Sequence, residues 1–566
     1  MRTVGCSFGA VGGFGSFGLL VAAVVAGCGG SGDLGSMSGR QALQGRDVKD
    51  LFFWRDRTLA FTRDKADPAQ SQPQDFLVWP IDEPSPSMAL AGVDWGRPYS
   101  WPIWFTGDVV LTGTELERIY SVETRQSSDL LTFLPAPSGD PPSYRELLAS
   151  IELRSDGHAV AKLQHGADVD TIVVGRPPDL RAFSLPAGVT VGGMTFVGAD
   201  LALLTSRTPE ASGGLATPRV GISRLDTSSG TLTALVAETD APEWTGITGF
   251  CGDVPSPAPC GFLSTIGCAL DEPACDGGRP PPCMLLYAKA EPASDMKIAA
   301  YVQDMATGAS TRLEGDDIDQ YFSNRDRHVL AWGSTKNKVT RYWNTCGDTR
   351  GECAFPPGRL VAWRPDGAFG MFGPQDVLHI VDPASGACLE PNPNATYSMP
   401  QAQWSRTGDR MLWVAANDAD ETSETLWVAD RDGGGAVALS GGPSLSGTFA
   451  ADGEHIYVSH DGESTASLGW IDLGVPSPAE QVLASNRGQI GMLGNRRALF
   501  IDHYNAQDDN GELVLVDLAT GARQSLARAV TEVTVSGSED EADVAYAVRG
   551  RAAASRDGLW LTTLPP

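Results

Sequence analysis

The chain has 566 residues, of which 70 are acidic and 42 basic, so its net charge is −28 and its isoelectric point lies near 4.6. A composition of 42% hydrophobic and 20% charged residues is that of a globular protein and excludes an intrinsically disordered chain. Because binding to phosphate groups depends on Lys and Arg, we predict no nucleic-acid partner.

The N-terminal segment carries no charge between Arg2 and Asp33 and includes the apolar run LLVAAVVAGCGG at 19–30. Such a segment could span a bilayer, so a retained transmembrane anchor is one interpretation. Its end, Val25-Ala26-Gly27-Cys28, resembles the lipobox of bacterial lipoproteins. That resemblance implies a signal peptide over 1–27 and lipidation of Cys28. The Gly/Ser-rich stretch that follows then forms a flexible tether over 28–47.

The resemblance to lipoproteins also implies a location. Gly29 follows Cys28, and the family's sorting rules retain a lipoprotein in the inner membrane when Asp stands there. We therefore expect a cell-envelope protein that is anchored by lipid in the outer membrane, on its periplasmic or its surface side.

Eight further cysteines remain once Cys6 and Cys28 are set aside: Cys251, Cys260, Cys268, Cys275, Cys283, Cys346, Cys353 and Cys388. An even number in an exported chain favours disulfides. Zinc binding is the alternative, but six to eight residues separate the cysteines of 251–283, whereas a zinc knuckle has two to four. We predict no metal ligands, a Cys-rich insertion at 251–283, and the local pairs Cys346–Cys353 and Cys251–Cys260.

A two-part phrase repeats along the body of the chain. Its first part, a Trp or Phe, a polar turn and an apolar run, occurs in VAWRPDGAFGMFG (361–373), QWSRTGDRMLWVA (403–415) and TFAADGEHIYVSH (448–460). The second part places D-x-x-[ST]-G between two apolar runs, as in LHIVDPASGACL (378–389) and LVLVDLATGARQSL (513–526). Both parts have the chemistry of β-hairpin turns, and the units recur every 40 to 45 residues or so.

Two hairpins per period predict four-stranded sheets, and radially arranged sheets form a β-propeller. The turn RPDG at 364–367 resembles the S-P-D-G signature of TolB-type, WD40-like propeller repeats. We therefore predict an all-β propeller of four-stranded blades, with Trp363 and Trp404 packed between blades. One large propeller and two lobes, 48–320 and 321–566, both fit the repeats, and we favour two. The final strand LWLTTLPP (559–566) should pair with an early strand.

No catalytic motif is present: the chain contains no G-x-S-x-G elbow, no Walker loop and no H-E-x-x-H. His455 and His460, five positions apart on a strand, should face opposite ways and share no metal. His503, beside Asp502 and Tyr504, would need further partners to act as a general base.

The aromatic stretch DWGRPYSWPIW (94–104) could bind sugars or a protein, but packing between blades is the interpretation we favour. We predict no cofactor and no enzyme, and a non-catalytic module that binds or scaffolds an unidentified protein. The alternative is a carbohydrate-binding protein, or a glycosidase- or lyase-like enzyme, with its site in the propeller channel.

Overall fold

The computed structural model describes most of the chain from Gly39 to Leu564. The described residues are 39–45, 48–55, 57–64, 73–94, 104–106, 109–112, 118–121, 124–133, 148–153, 159–165, 169–207, 219–240, 263–266, 268, 274–275, 278–290, 298–315, 318, 320–324, 328–372, 377–390, 402–417, 420–461, 466–539, 541–549 and 556–564. Within them, no helix is long and apolar enough to cross a membrane.

The described chain is built almost entirely of antiparallel four-stranded sheets, which we call blades and number in chain order. The chain begins with β1 (Arg40–Gln44). Blade 1 contains β2 (Val48–Arg55), β3 (Thr58–Asp64), β4 (Pro73–Pro80) and β5 (Ser87–Asp94). Blade 2 contains β6 (Trp104–Thr106), β7 (Val109–Thr112), β8 (Arg118–Ser121) and β9 (Gln126–Asp129), followed by a 3-10 helix (Leu130–Phe133). Blade 3 contains β10 (Leu148–Leu153), β11 (Ala159–His165), β12 (Val169–Arg176) and β13 (Asp179–Ser184).

The middle blades follow the same order. Blade 4 contains β14 (Val189–Val197), β15 (Asp200–Arg207), β16 (Arg219–Leu225) and β17 (Leu232–Asp240). Blade 5 contains β18 (Leu263–Ile266), β19 (Met284–Ala290), β20 (Ile298–Asp304) and β21 (Ser310–Arg312). Blade 6 contains β22 (Gln320–Asn324), β23 (Val329–Ser334), β24 (Val339–Asn344) and β25 (Thr349–Cys353). Blade 7 contains β26 (Arg359–Trp363), β27 (Phe369–Phe372), β28 (Leu378–Asp382) and β29 (Ala387–Leu389).

The last blades include a shared strand. Blade 8 contains β30 (Ala402–Trp404), β31 (Arg410–Asn417), β32 (Asp420–Asp430) and β33 (Val437–Gly442). Blade 9 contains β34 (Leu445–Phe449), β35 (His455–Asp461), β36 (Ala466–Asp472) and β37 (Gln481–Ala484). The remaining strands are β38 (Arg487–Leu493), β39 (Arg497–Asn505), β40 (Asn510–Asp517), β41 (Arg523–Ser538), β42 (Glu541–Val548) and β43 (Gly558–Leu564).

The strand β41 belongs to two blades. Its first half, up to Val530, pairs with β40 and completes blade 10, and its second half pairs with β42 and opens blade 11. The outer strand of blade 11 is β1, which pairs with β43 through partners such as Arg40 and Leu561. The prediction that the final strand pairs with an early one is confirmed. This pairing covers an edge of blade 11 that would otherwise lie open.

Neighbouring blades pack face to face through apolar side chains. Trp404 of blade 8 packs against Leu378 and Ile380 of blade 7, and only 8% of its surface is exposed. A Cβ on Gly370 would lie 3.0 Å from the Trp404 ring, so a larger residue there would crowd the indole. Trp363 packs in the same manner between blades 6 and 7. The predicted role of both Trp residues in filling the space between blades is confirmed.

The first strands of several neighbouring blades contact one another, as with β14 and β18 or β26 and β30, which is expected for the innermost strands of a propeller. Their open edges leave backbone groups without partners in their own sheet, and side chains from the next blade bond some of them. Gln489 Oε1 accepts from the Val533 amide at 2.9 Å, and Glu532 Oε2 accepts from the Leu51 amide at 2.9 Å. These bonds run from blade 10 to blade 11 and from blade 11 to blade 1.

The turns have the predicted chemistry. In the D-x-x-[ST]-G turn of blade 7, Asp382 Oδ1 accepts from the amides of Ala384 and Ser385 at 3.0 and 3.3 Å, and Gly386 has a φ of 76°. Gly367 of the RPDG turn has a φ of 99°. Because strands alternate in direction, the turns after the first and third strands of every blade lie at one end. We call that end the turn face.

The contacts between blades bear on the predicted domain division. One apolar cluster contains Met284 and Leu286 of blade 5 together with Leu330 and Trp332 of blade 6, so it crosses residue 320. This contact favours a continuous series of blades, and the division into lobes 48–320 and 321–566 stays a prediction. The predicted Cys-rich insertion at 251–283 includes β18, the first strand of blade 5. The residues of the insertion that follow β18 form the long turn between the first and second strands of that blade.

Candidate functional site

Residues 268–283, here called the cysteine loop, lie in the connection from β18 to β19 on the turn face. A disulfide closes the loop at its base, where the Cα atoms of Cys268 and Cys283 are 4.3 Å apart. The pair stands just beyond Ile266 and Met284, the last partners of this hairpin. The Gly198 amide of blade 4 donates to the Cys268 carbonyl at 3.0 Å, which ties the base to the neighbouring blade.

A second disulfide carries the cysteine loop across to blade 6. It joins Cys275 to Cys346, with Cα atoms 5.5 Å apart. Cys346 lies in the turn after β24, where Asn344 Oδ1 accepts from the amides of Cys346 and Gly347, both at 3.1 Å. The Arg279 guanidinium donates to the Cys346 carbonyl at 3.0 Å. The loop is therefore fixed to blade 6 by a covalent bond and a hydrogen bond.

His328 lies beside this second disulfide, at the end of the turn between β22 and β23. Its carbonyl oxygen accepts from the Thr345 amide at 2.9 Å and from the Thr345 hydroxyl at 3.1 Å, so the two turns of blade 6 hold each other. The two sulfurs and a ring nitrogen of His328 all lie within 4.8 Å of one another. Cys275 and His328 are buried, and Cys346 is half-buried. Thiolate and imidazole are zinc ligands, although the sequence predicted no metal site.

A third disulfide, Cys353–Cys388, joins the outer strands of blades 6 and 7, with Cα atoms 5.6 Å apart.

Three of the predicted cysteines, Cys28, Cys251 and Cys260, lie outside the described residues, as does the predicted pair Cys251–Cys260. The guessed pair Cys346–Cys353 is wrong. Each of these two cysteines pairs instead with a partner on another blade.

The tip of the cysteine loop points to solvent. Gly278, Arg279 and Pro280 are exposed, and Pro281 and Pro282 are half-buried. The Cys275 amide donates to the Arg279 carbonyl at 2.9 Å, and the Gly278 amide donates to the Cys275 carbonyl at 3.0 Å. Because three prolines fix φ and two disulfides fix the ends, the described part of this tip is conformationally restricted.

The RPDG turn of blade 7 contains a buried ionic network. The Arg364 side chain, 2% exposed, donates to Asp366 at 2.7 Å and to Asp382 at 2.8 Å. Arg431 of blade 8 also reaches Asp366, at 3.1 Å. Burial would raise the pKa of Asp382, but the hydrogen bond and charge of Arg364 outweigh burial and hold the pKa below its usual value. The network joins the two repeat phrases of one blade, since Arg364 belongs to the first and Asp382 to the second.

A polar cavity of about 570 Å³ lies on the turn face where blade 11 meets blade 1. Arg57 crosses it, donating to Asp543 at 2.7 Å and to Asp82 at 2.9 Å. Gly39 and Arg40 form part of its wall. The first described residue of the chain therefore lies beside the turns of blade 1.

The three histidines that the sequence analysis singled out each lie beside a different carboxylate. His455 Nδ1 lies 2.7 Å from Asp452 Oδ2, and His460 Nε2 lies 3.0 Å from Glu480 Oε1. The two histidines therefore bond to different carboxylates, and their opposite orientation stays a prediction. His503 is exposed, and its Nε2 lies 3.8 Å from the buried Asp502.

Two carboxylates stand on neighbouring innermost strands, Asp50 on β2 and Glu532 on β41. Burial raises the pKa of Glu532, and the negative charge of Asp50 adds to this effect. Glu532 also accepts the hydrogen bond from the Leu51 amide, so its carboxylate contributes to the contact between blades 11 and 1.

The aromatic stretch 94–104 lies largely outside the described residues.

Comparison with known proteins finds similarity to solved structures. No protein-family model matches the chain, and no curated protein matches it. Among solved structures, TolB from Acinetobacter baumannii is 13% identical, with 58% of this chain and 79% of that chain covered and a TM-score of 0.21. The Cps50 (Swd1) β-propeller domain from Myceliophteria thermophila is 11% identical, with 46% and 90% covered and a TM-score of 0.23. The predicted TolB-like, WD40-like propeller is confirmed at the level of fold.

Another similar structure is the tricorn protease, 11% identical, with 93% of this chain and 60% of that chain covered and a TM-score of 0.26. A prolyl endopeptidase is 14% identical, with 89% and 54% covered and a TM-score of 0.30. This chain thus spans little more than half the length of either protease. The prediction that the chain is not an enzyme is corrected by these matches, because propeller-containing enzymes share its fold. The fold does not indicate a non-catalytic protein.

Proposed function

We propose that this chain is a lipid-anchored envelope protein whose propeller serves as a scaffold that binds another protein through the cysteine loop. The observation that carries the proposal is the exposed tip at 278–280, held between two disulfides on the turn face. A binding loop that is already ordered loses little conformational entropy when its partner docks. Exposed Arg, as at 279, is enriched among the residues that contribute most to protein interfaces.

The proposed lipid anchor determines which membrane the partner should be near. In the proposal, lipidated Cys28 enters the membrane, and Gly29 favours the outer membrane. The predicted tether over 28–47 is too long, because residues 40–44 form the strand β1; the remaining residues 28–38 would join the body at Gly39, beside Arg57 and Asp82 on the turn face. A flexible segment of this length spans about 18 Å on average. The turn face would then lie near the membrane surface, and the partner would be a protein embedded in or attached to the same membrane.

Site-specific photo-crosslinking in intact cells tests the proposed binding face. A photoreactive residue at Pro280 should yield a discrete crosslinked product in the membrane fraction. The matched control is the same residue at Lys336, which is exposed in the turn at the opposite end of blade 6. Lys336 should give no such product. Equal products from the two positions, or a product from Lys336 alone, would refute binding through the cysteine loop.

The anchor is tested separately with Cys28→Ser in the same cells. The variant should move from the membrane to the soluble fraction, and the Pro280 product should fall because the partner is no longer close. Continued membrane retention of the variant would contradict lipid anchoring. It would not bear on the binding loop, which the crosslinking experiment tests.

A further inference from the structure

We propose that Cys275, Cys346 and His328 bind one Zn²⁺ ion when the two cysteines are in the thiol state. The three side chains come from three different segments: the cysteine loop of blade 5 and the two turns of blade 6. Their donor atoms all lie within 4.8 Å of one another. Two sulfurs and one imidazole nitrogen form a common ligand set for zinc with three protein ligands.

The distances fit a tetrahedral ion. With zinc bonds of about 2.3 Å to sulfur and 2.0 Å to nitrogen, neighbouring ligand atoms stand about 3.5 to 3.8 Å apart. Opening the disulfide lets the two sulfurs separate to that distance, and His328 is already in range of both. Three protein ligands leave a fourth position, and Cys346, only half-buried, lies on the side where water can reach it.

The ligands stay positioned after the disulfide opens, because other contacts hold each segment. Arg279 still donates to the Cys346 carbonyl, and Asn344 still fixes the turn that carries Cys346. The Thr345 amide and hydroxyl hold the His328 backbone. The other two disulfides have no histidine of this kind in the described chain, since this trio is the one metal-capable group found among the described residues.

The chemistry balances with a dithiol reductant. The dithiol passes two electrons and two protons to the Cys275–Cys346 bond, giving two thiols and an intramolecular disulfide of the reductant. Zn²⁺ then binds both sulfurs as thiolates and releases two protons, while His328 binds through a neutral ring nitrogen. The same two cysteines therefore have two exclusive states, a disulfide or a zinc site.

Cobalt(II) titration of the purified, reduced protein tests the proposal, because thiolate-bound Co²⁺ absorbs through charge transfer and zinc displaces it. We expect one thiolate-bound Co²⁺ per chain and none in the oxidised protein. Cys275→Ser should abolish the absorption. His328→Asn should weaken Co²⁺ binding at least tenfold, and Asn suits the positive φ of 53° at this position. The control, Cys353→Ser with Cys388→Ser, should bind Co²⁺ as the wild type does.

A measurement on the wild type avoids any variant that fails to fold. Zn²⁺ should slow alkylation of Cys275 and Cys346 in the reduced protein, measured by peptide mass spectrometry, and leave Cys353 and Cys388 unprotected. Equal protection of all four cysteines, no protection, or full Co²⁺ absorption in Cys275→Ser would overturn the proposed site.

Discussion

Replacing Asp382 by Asn tests whether the two repeat phrases stabilise the blade through the ionic network. Asn is nearly isosteric, and its side-chain oxygen can still accept from the amides of Ala384 and Ser385. What is lost is the charged partner of Arg364, which is 2% exposed and bonds Asp382 at 2.8 Å. A hydrogen bond to a buried charged group contributes about 1.5 to 3 kcal/mol. We therefore expect Asp382→Asn to lower the free energy of unfolding by about 2 kcal/mol.

The matched control is Asp82→Asn, which breaks the pair between Arg57 and Asp82. The side chains of that pair are 51% and 71% exposed, so its loss should change stability by less than about 1 kcal/mol. Urea unfolding followed by the fluorescence of the 14 Trp residues measures both. If Asp382→Asn costs no more than Asp82→Asn, the network does not hold the blade together.

Three further predictions follow from individual contacts. The pKa of Asp382 lies below that of an unfolded Asp, so the wild type should lose stability as pH falls below about 4. In urea titrations over the same pH range, Asp382→Asn should lose less stability than the wild type. The Tyr457 hydroxyl donates to the Gly494 carbonyl of the next blade at 2.5 Å. Tyr457→Phe should therefore lower the free energy of unfolding by about 1 to 2 kcal/mol in the same assay. An unchanged free energy of unfolding would mean that this bond does not hold blades 9 and 10 together. Burial raises the pKa of Glu532, so the stability that its protonated carboxyl contributes is present below the unfolded pKa and is lost as pH rises. Glu532→Gln should therefore gain stability relative to the wild type as pH rises above about 4.3, the pKa of an unfolded Glu. A difference that stays constant with pH would contradict the assignment.

The fold could be predicted because its signals are local. Turn residues such as Asp382 and Gly386 stand between short apolar runs and fix the hairpins, and the period of the phrase fixes the four-stranded unit. Trp404 was recognisable as a packing residue from its fixed place before the turn. The double membership of β41 was not predictable, because its sixteen residues carry no break where one blade ends and the next begins.

The cysteine pairing shows why the site was harder to predict. The guess Cys346–Cys353 assumed that cysteines close in sequence pair, as in an isolated loop. In a propeller, residues about one repeat apart lie side by side on neighbouring blades. Cys353 and Cys388, on the outer strands of neighbouring blades, are 35 residues apart. Cys275 and Cys346 are 71 apart, because the first lies in the turn after the first strand of blade 5 and the second in the turn after the third strand of blade 6. His328 carried no signal beyond its place after a turn, since the turn of blade 6 that carries Cys346 and the docked cysteine loop that carries Cys275 each bring one sulfur to it.

Disulfide mapping of the unreduced protein tests most directly whether the cysteine loop is docked on blade 6. Proteolysis without reduction, followed by mass spectrometry, should identify peptides that link Cys275 to Cys346, Cys268 to Cys283 and Cys353 to Cys388. A linked peptide containing Cys346 and Cys353 would contradict the arrangement of the loop and of blades 5 to 7, and with it the binding face and the proposed zinc site.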